Sequence, residues 1–278
     1  MSTILLAGCT GGLGSLILKA LDATPLYNGA EISRVLAVDY FKSDSERAQL
    51  QHAYKKINIE AFHWDASSVE STTALLECLA RSTVPHAVIV TTGIGFHGSS
   101  RHLTAVETST ILNKLLKINC IGPALLVQWC SQQMLKHGIP RPKFVIMSSF
   151  SGVVGLPLRG SYCASKFALN GFIESLASEF DGISYVLVCP TSVGTNFREN
   201  WKRELGASDS ARTAEANTAQ MAPEHCVAEV MTALHQRHIS GVHVLILPRG
   251  KTTLAYLGVR FPLVGNILRR RIAKASKL

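Results

Sequence analysis

Tyr162 and Lys166 stand four residues apart in GSYCASKFALNGFIESLASEF, a segment with helical spacing. On a helix both project from one face, so an ammonium there can lower the phenol's pKa from about 10 and hold a ribose as well. A lone Tyr-x-x-x-Lys is common by chance, and a partly exposed helix face explains it equally well. Ser149 changes the balance: it ends a strand-like run 13 residues before Tyr162, where its hydroxyl can hydrogen-bond a carbonyl oxygen and polarise it for hydride attack. The three residues together point to proton and hydride chemistry on an alcohol or a ketone.

A second constellation lies near the start of the chain, in Gly8, Cys9, Thr10, Gly11, Gly12, Leu13 and Gly14. Glycines at 8, 12 and 14 leave room for a diphosphate to approach the backbone, and the helix that follows offers unpaired N–H groups and a positive dipole end. Such a turn can be only a tight turn. Its place directly after the first strand and before the first helix is what a dinucleotide site requires. Asp39 ends the second strand, 25 residues after Gly14. A carboxylate there can accept from both hydroxyls of an adenosine ribose and repels a 2′-phosphate, which favours NAD over NADP, with an ordinary turn aspartate as the alternative. Asp65 and Ala66 close the third strand, where a carboxylate can meet the adenine amino group. With Ser67 and Ser68 following, Asp65 can equally cap the next helix.

These residues need a scaffold, and the hydrophobic pattern supplies one. Seven short apolar runs, at 3–8, 34–39, 61–65, 86–92, 143–149, 183–189 and 242–247, alternate with helical stretches at about 12–23, 67–81, 103–137, 161–181 and 223–238. Apolar strands separated by helices predict an α/β, doubly wound Rossmann fold: a seven-stranded parallel sheet with helices on both faces. The pattern gives a single catalytic domain over 1–248 and a C-terminal extension over 249–278. Residues 196–222, polar and rich in Ala, Ser and Thr, read as a mobile flap over a site.

With these parts in order, the chain resembles the short-chain dehydrogenase/reductase family over roughly residues 2–248. The resemblance rests on the glycine turn at 8–14, Asp39, Asp65, Asn119, the set Ser149, Tyr162 and Lys166, and the segment from Pro190 to Thr195. It implies that Tyr162 is the general acid/base, that Lys166 lowers its pKa and binds the nicotinamide ribose, and that Ser149 orients the carbonyl. It further implies that Asn119, on the long central helix, supports a water-mediated proton relay. CPTSVGTNF resembles the family's Pro-Gly segment, so a backbone N–H and a Thr hydroxyl that hold the nicotinamide carboxamide fall to Val193 and Thr195. Two departures stand out. Thr191 replaces a usual Gly, and Thr91, Thr92, Gly93 and Ile94 stand where Asn-Asn-Ala-Gly is usual. Thr92 and Gly93 remain in the expected cofactor set because Gly93 still permits close backbone approach. Pairing through the long helices into a homodimer or homotetramer is also implied.

Composition narrows the setting. The chain has 278 residues, 47% hydrophobic and 17% charged, enough for one well-buried core and inconsistent with a disordered state. Its apolar runs break before about 18 residues, and Met1–Leu6 lacks a basic start, so neither a transmembrane helix nor a secretory signal is expected. Seven scattered cysteines without a C-x-x-C pair read as reduced thiols of a cytoplasmic protein, with no metal site. The net charge of +9 is concentrated: eight basic residues and no acidic one follow from Arg249 onward, which leaves the body near neutral. Nucleic acid is therefore not an expected partner. In the extension, apolar residues such as Leu257, Phe261 and Ile267 precede Arg269, Arg270 and Arg271. A helix beginning near Pro262 would suit the surface of an anionic membrane, and packing on the core or on a partner subunit is the alternative.

The function that follows is an NAD-dependent oxidoreductase interconverting a secondary alcohol and a ketone. Phe150, Val153, Val154, Leu156 and Phe197, expected near the pocket, favour a hydrophobic, steroid- or lipid-like substrate. A reading from another class is a non-catalytic NAD-binding sensor or scaffold that uses the basic tail for a membrane or protein partner. The intact Ser149, Tyr162 and Lys166 argue against it, since a pure binder has no chemical need of all three.

Overall fold

The computed structural model describes residues 1–195, 197 and 220–248. The expected flap therefore lies outside the described residues except for Phe197 and residues 220–222, and the C-terminal extension lies wholly outside them.

Chain order starts with β1 (Ser2–Ala7) and α1 (Gly12–Ala23), then β2 (Leu26–Tyr27), β3 (Ala30–Asp39), α2 (Asp44–His52) and β4 (Asn58–His63). After α3 (Val69–Leu79) come β5 (Ala87–Val90), α4 (Ala105–Leu116), a π-helical turn (Lys117–Ile121) and α5 (Gly122–Lys136). The second half holds β6 (Lys143–Met147), α6 (Gly160–Glu179), β7 (Ser184–Pro190), α7 (Pro223–His235) and β8 (Gly241–Leu247).

Seven strands form the expected parallel sheet, in the order β4-β3-β1-β5-β6-β7-β8. An eighth strand was not expected: β2 pairs antiparallel with the start of β3 through Leu26 and Tyr27. It is too short to leave a periodic signal, and Ala30–Ser33 at the start of β3 are too polar. The helix α2 also escapes hydrophobic pattern reading because it buries no residue; it is held instead by Ser43, whose hydroxyl accepts from the Glu46 N–H.

Two apolar layers sandwich the sheet. On one face Leu126, Val127, Leu169 and Ile173 pack against Leu5, Leu36 and Val88; on the other Ile17, Leu18, Leu21 and Val230 pack against Ile4, Leu6 and Ile89. Alternate residues of β1 thus enter opposite layers, so both faces are apolar and the run reads as continuous. The helical run Ala105–Lys136 is long and apolar enough to cross a membrane by length and composition, contrary to the expectation that no segment would be. Its Leu115, Asn119, Leu126, Val127 and Met134 are buried, which accounts for that composition by packing in the core.

Chain order reverses between β1 and β5: the chain leaves β1 for β3 and β4 on one side and continues from β5 toward β8 on the other. A crevice opens outside the carboxyl ends of strands at such a reversal, which brings the loops after β1, β5, β6 and β7 together.

Candidate active site

The turn after β1 is shaped by what its glycines lack. Gly8 sits at φ +85°, a left-handed conformation that L side chains rarely adopt, and a Cβ there would lie 2.5 Å from Thr91 Oγ1. At Gly14 a Cβ would overlap the Gly8 carbonyl oxygen, so the start of α1 lies directly on the turn. Gly12 is looser, its missing Cβ 3.1 Å from the Thr195 Cβ, and this contact joins the turn to the segment after β7. Gly11, Gly12, Leu13 and Gly14 line one cavity; Gly8, Thr10 and Gly11 line a second.

Asp39, Tyr40, Trp64, Asp65 and Ala66 line that second cavity with Thr92 and Gly93. Oδ2 of Asp39 accepts from the Thr10 N–H and hydroxyl, both at 2.7 Å, and Oδ1 accepts from the Tyr40 N–H at 2.8 Å. A carboxylate offers about four acceptor positions, so one remains for a ribose hydroxyl. Asp65 uses Oδ1 to accept from the Ser67 N–H and hydroxyl, while Ser68 caps α3. The helix-capping alternative for Asp65 is thus corrected: the residue closes a local turn, and the cap is one serine further on.

The first cavity is lined by Ser149, Arg159, Tyr162 and Lys166 together with Phe96, Met147, Pro190, Val193, Thr195 and Phe197. Tyr162, Lys166 and Ser149 are all buried, yet all three face this cleft. The Lys166 ammonium donates to the Met147 carbonyl at 3.1 Å, and burial lowers its pKa to about 8. Burial also pushes the Tyr162 phenol up, and the Ser149 hydroxyl and the Arg159 guanidinium pull it back. The expectation that Lys166 lowers the phenol's pKa is corrected here. The net direction is upward, and the positive charge acting against it comes from Arg159.

Asn119 sits in the π-helical turn and is fully buried. Its Oδ1 accepts from the Ile94 N–H at 2.7 Å, and Nδ2 donates to the Ile94 carbonyl at 2.8 Å and to Ser165 Oγ at 3.0 Å. Ser165 in turn donates to the Tyr162 carbonyl. Asn119 therefore clamps the loop after β5 to the helix that carries Tyr162, and a single extra residue in the helical turn aims it inward. A Cβ on Gly93 would stand 3.1 Å from Asn119 Oδ1 and 3.3 Å from Lys166 Nζ, so glycine at this position gives both side chains room.

Of the apolar residues expected at the pocket, Phe197 lines it, with its ring edge-on to Tyr162 at 6.3 Å. The other four are corrected: Phe150 and Val154 belong to the core, and Val153 and Leu156 pack against it, because the short 3-10 turn after Ser149 faces inward. The cleft draws its apolar surface from Phe96, Met147, Val193 and Leu13 instead. Sequence reading also missed Arg159, although its place three residues before Tyr162 was a usable signal.

The residues present fit a dinucleotide cofactor. Both cavities meet at Gly11 and at Thr91, Thr92 and Gly93, glycines form the rim, and the Thr92 hydroxyl is buried beside them with no partner in the protein. A buried hydroxyl left unpaired is costly, and a bound polar group would satisfy it.

A doubly wound sheet with these two cavities at its chain reversal defines a nucleotide-binding α/β protein. The family model for short chain dehydrogenases matches residues 2–206, and the chain belongs to that family, whose members are oxidoreductases acting on CH–OH groups with nicotinamide cofactors. It is 27% identical to estradiol 17-beta-dehydrogenase 1 of Rattus norvegicus over 224 residues, which are 79% of this chain and 62% of that protein. It is 33% identical to dehydrogenase/reductase SDR family member 7 of Homo sapiens over 107 residues, 37% of this chain and 31% of that one. The matches thus span from about a third to three fifths of these relatives. Among solved structures, 4-hydroxyisoleucine dehydrogenase complexed with NADH superposes with a TM-score of 0.71 at 20% identity, covering 91% of this chain and 99% of that one. A short chain dehydrogenase from Burkholderia cenocepacia J2315 in complex with NADP gives 0.72 at 16%, covering 98% and 97%. At such identities these likenesses establish the fold alone.

Proposed function

We propose that the protein is an NAD(H)-dependent oxidoreductase that interconverts a secondary alcohol and a ketone on a hydrophobic, steroid- or lipid-like substrate. The observation that carries this reading is the convergence of Ser149, Tyr162 and Lys166 on one cleft that is continuous with the glycine turn. Gly8, Thr10, Gly11, Gly12, Leu13 and Gly14 hold the diphosphate; Asp39, Asp65, Ala66, Thr92 and Gly93 hold the adenosine side. Pro190, Val193, Thr195 and Lys166 hold the nicotinamide side. The cofactor, when bound, supplies or accepts the hydride.

Tyr162 Oη donates a proton to the carbonyl oxygen in reduction and takes it from the alcohol in oxidation. Ser149 donates a hydrogen bond to the same oxygen, which stabilises the charge that develops on it. Lys166, with an ammonium pKa of about 8, keeps positive charge near the ribose at neutral pH. Asn119 positions the Ile94 backbone and, through Ser165, the first turns of α6. Asp39 supports NAD over NADP, because a 2′-phosphate would meet its negative charge. The apolar lining of the cleft and the steroid dehydrogenases among the relatives support the substrate class.

The domain extends over 1–248, working in the cytoplasm as a homodimer or homotetramer, and the basic extension brings it to an anionic membrane surface. Replacing Arg269, Arg270 and Arg271 by Gln should abolish co-sedimentation with phosphatidylserine vesicles; unchanged co-sedimentation would leave the extension to core or subunit packing. The central test is NADH-linked absorbance with sugar-like, fatty and steroid ketones and alcohols, with Tyr162→Phe beside the wild type. Turnover should fall by about 10²–10⁴-fold in the variant, while NADH binding persists. Equal turnover in both proteins would sink the assignment.

A further inference from the structure

The face of α6 that carries Tyr162 and Lys166 continues one turn further to Asn170, four residues past Lys166 and eight past Tyr162. Asn170 is buried and does not line the cleft, yet both functions of its amide are engaged. Its Oδ1 accepts from the Ser148 hydroxyl at 2.6 Å, and its Nδ2 donates to the Gly152 carbonyl at 2.9 Å. A carbonyl can only accept, so Gly152 fixes which way the amide points and leaves Oδ1 to Ser148. These two partners flank Ser149. The Gly152 N–H donates to the Ser149 carbonyl at 2.8 Å, and the Ser151 N–H donates to Ser149 Oγ at 3.1 Å. Only glycine suits position 152, because a Cβ there would stand 2.8 Å from Ser148 Oγ and 2.9 Å from Asn170 Nδ2.

We propose that Asn170 is a positioning residue that brackets the turn after β6 through Ser148 and Gly152 and so holds the Ser149 hydroxyl against Tyr162. The proposal rests on the oxidoreductase reading above and deepens it. Tyr162 rides on α6 and Ser149 on a strand end, so the gap between them depends on how the two elements are joined. The Lys166 bond to the Met147 carbonyl holds the strand side of that junction, and Asn170 holds the turn beyond it. Ser149 Oγ already accepts from Ser151, which leaves its own proton to donate toward the Tyr162 oxygen; that hydrogen bond draws the phenol down against the effect of burial. Losing either arm of the bracket would leave a buried polar group unpaired, so the arrangement resists displacement. A misplacement of about 1 Å at reacting groups costs about a hundredfold in rate.

The test compares the wild type with Asn170→Ala and with Ser148→Ala, which removes one arm only and still reports if Asn170→Ala does not fold; each is also made in a Ser149→Ala background. With NADH and the best-reduced ketone of the panel above, kcat should fall by about tenfold to a hundredfold in Asn170→Ala and by a smaller factor in Ser148→Ala. KM for the ketone and affinity for NADH should stay within about threefold of the wild type. In the Ser149→Ala background the same substitutions should lower kcat by less than about threefold further, since the group they position is gone. Rates are taken per NADH-binding site, so loss of folded protein cancels. No fall in kcat, or an equal fall in both backgrounds, overturns the proposal. A second measurement needs no turnover. In NMR of NADH-loaded protein labelled at the oxygen-bearing ring carbon of tyrosine, Tyr162→Phe identifies the Tyr162 signal, and the two variants should move it toward its position in Ser149→Ala. A signal that neither variant moves overturns the proposal whether or not any ketone is reduced. A signal that moves in a protein without turnover sustains the bracket while the oxidoreductase reading falls.

Discussion

The two ends of the crevice are built in opposite ways. At the nucleotide end, space is made by missing side chains: Gly8 and Gly14 let backbone lie on backbone, Gly12 admits the Thr195 side chain, and ligand groups are left to N–H donors and two carboxylates, Asp39 and Asp65. At the catalytic end, space is made by buried polar side chains, each tied to a second group: Lys166 to the Met147 carbonyl, Asn119 to Ile94 and Ser165. At Gly8 and Gly14 the first end depends on geometry that tolerates no added atom. The second depends on electrostatics in a poorly solvated place, where changing one partner moves the pKa or the orientation of another.

That contrast predicts its largest effect in the glycine turn. Gly14→Ala places a methyl where the Gly8 carbonyl already lies, so the turn or the first turn of α1 must move. A loss of about 3 kcal/mol or more in denaturant unfolding is expected, together with loss of NADH binding. Gly12→Ala meets only the far wall at Thr195 and should cost less than about 1 kcal/mol, with weakened cofactor binding as its main effect. If the two variants were equally stable, the close backbone approach would not be what shapes this end.

The same contrast decides what could be read from sequence. The nucleotide end was legible as a pattern because its glycines and Asp39 sit directly at strand ends, and β1, β3 and α1 stand where the pattern placed them. Ser149, Tyr162 and Lys166 were legible because one helix and one strand end bring them together. What failed depended on tertiary environment. Phe150 and Val154 look like pocket residues in sequence, but a short turn sends them into the core. The direction of the Tyr162 shift could not be had from spacing, since burial outweighs the nearby charges and the effective cation is Arg159. The polar helix α2 and the two-residue β2 carry no hydrophobic period to read.

A smaller effect sharpens the catalytic side of the comparison. Burial lowers the Lys166 pKa from the ordinary 10.5 to about 8, which corresponds to about 3 kcal/mol of unfavourable burial of the charge. Below pH 8 the ammonium is charged in the folded and unfolded chain alike, and the folded protein carries the cost in full. Between about 8 and 10.5 the folded state has released its proton while the unfolded state still holds one, so the cost fades as pH rises. Relative to Lys166→Met, which has no such charge, the wild type should therefore gain stability steadily from pH 8 to 10, as read from paired denaturant titrations. Loss of the hydrogen bond to the Met147 carbonyl offsets the variant by a constant amount and leaves the slope untouched. A flat difference across that range would mean that the ammonium is solvated in the folded protein, and the catalytic end would then be as open to water as the nucleotide end.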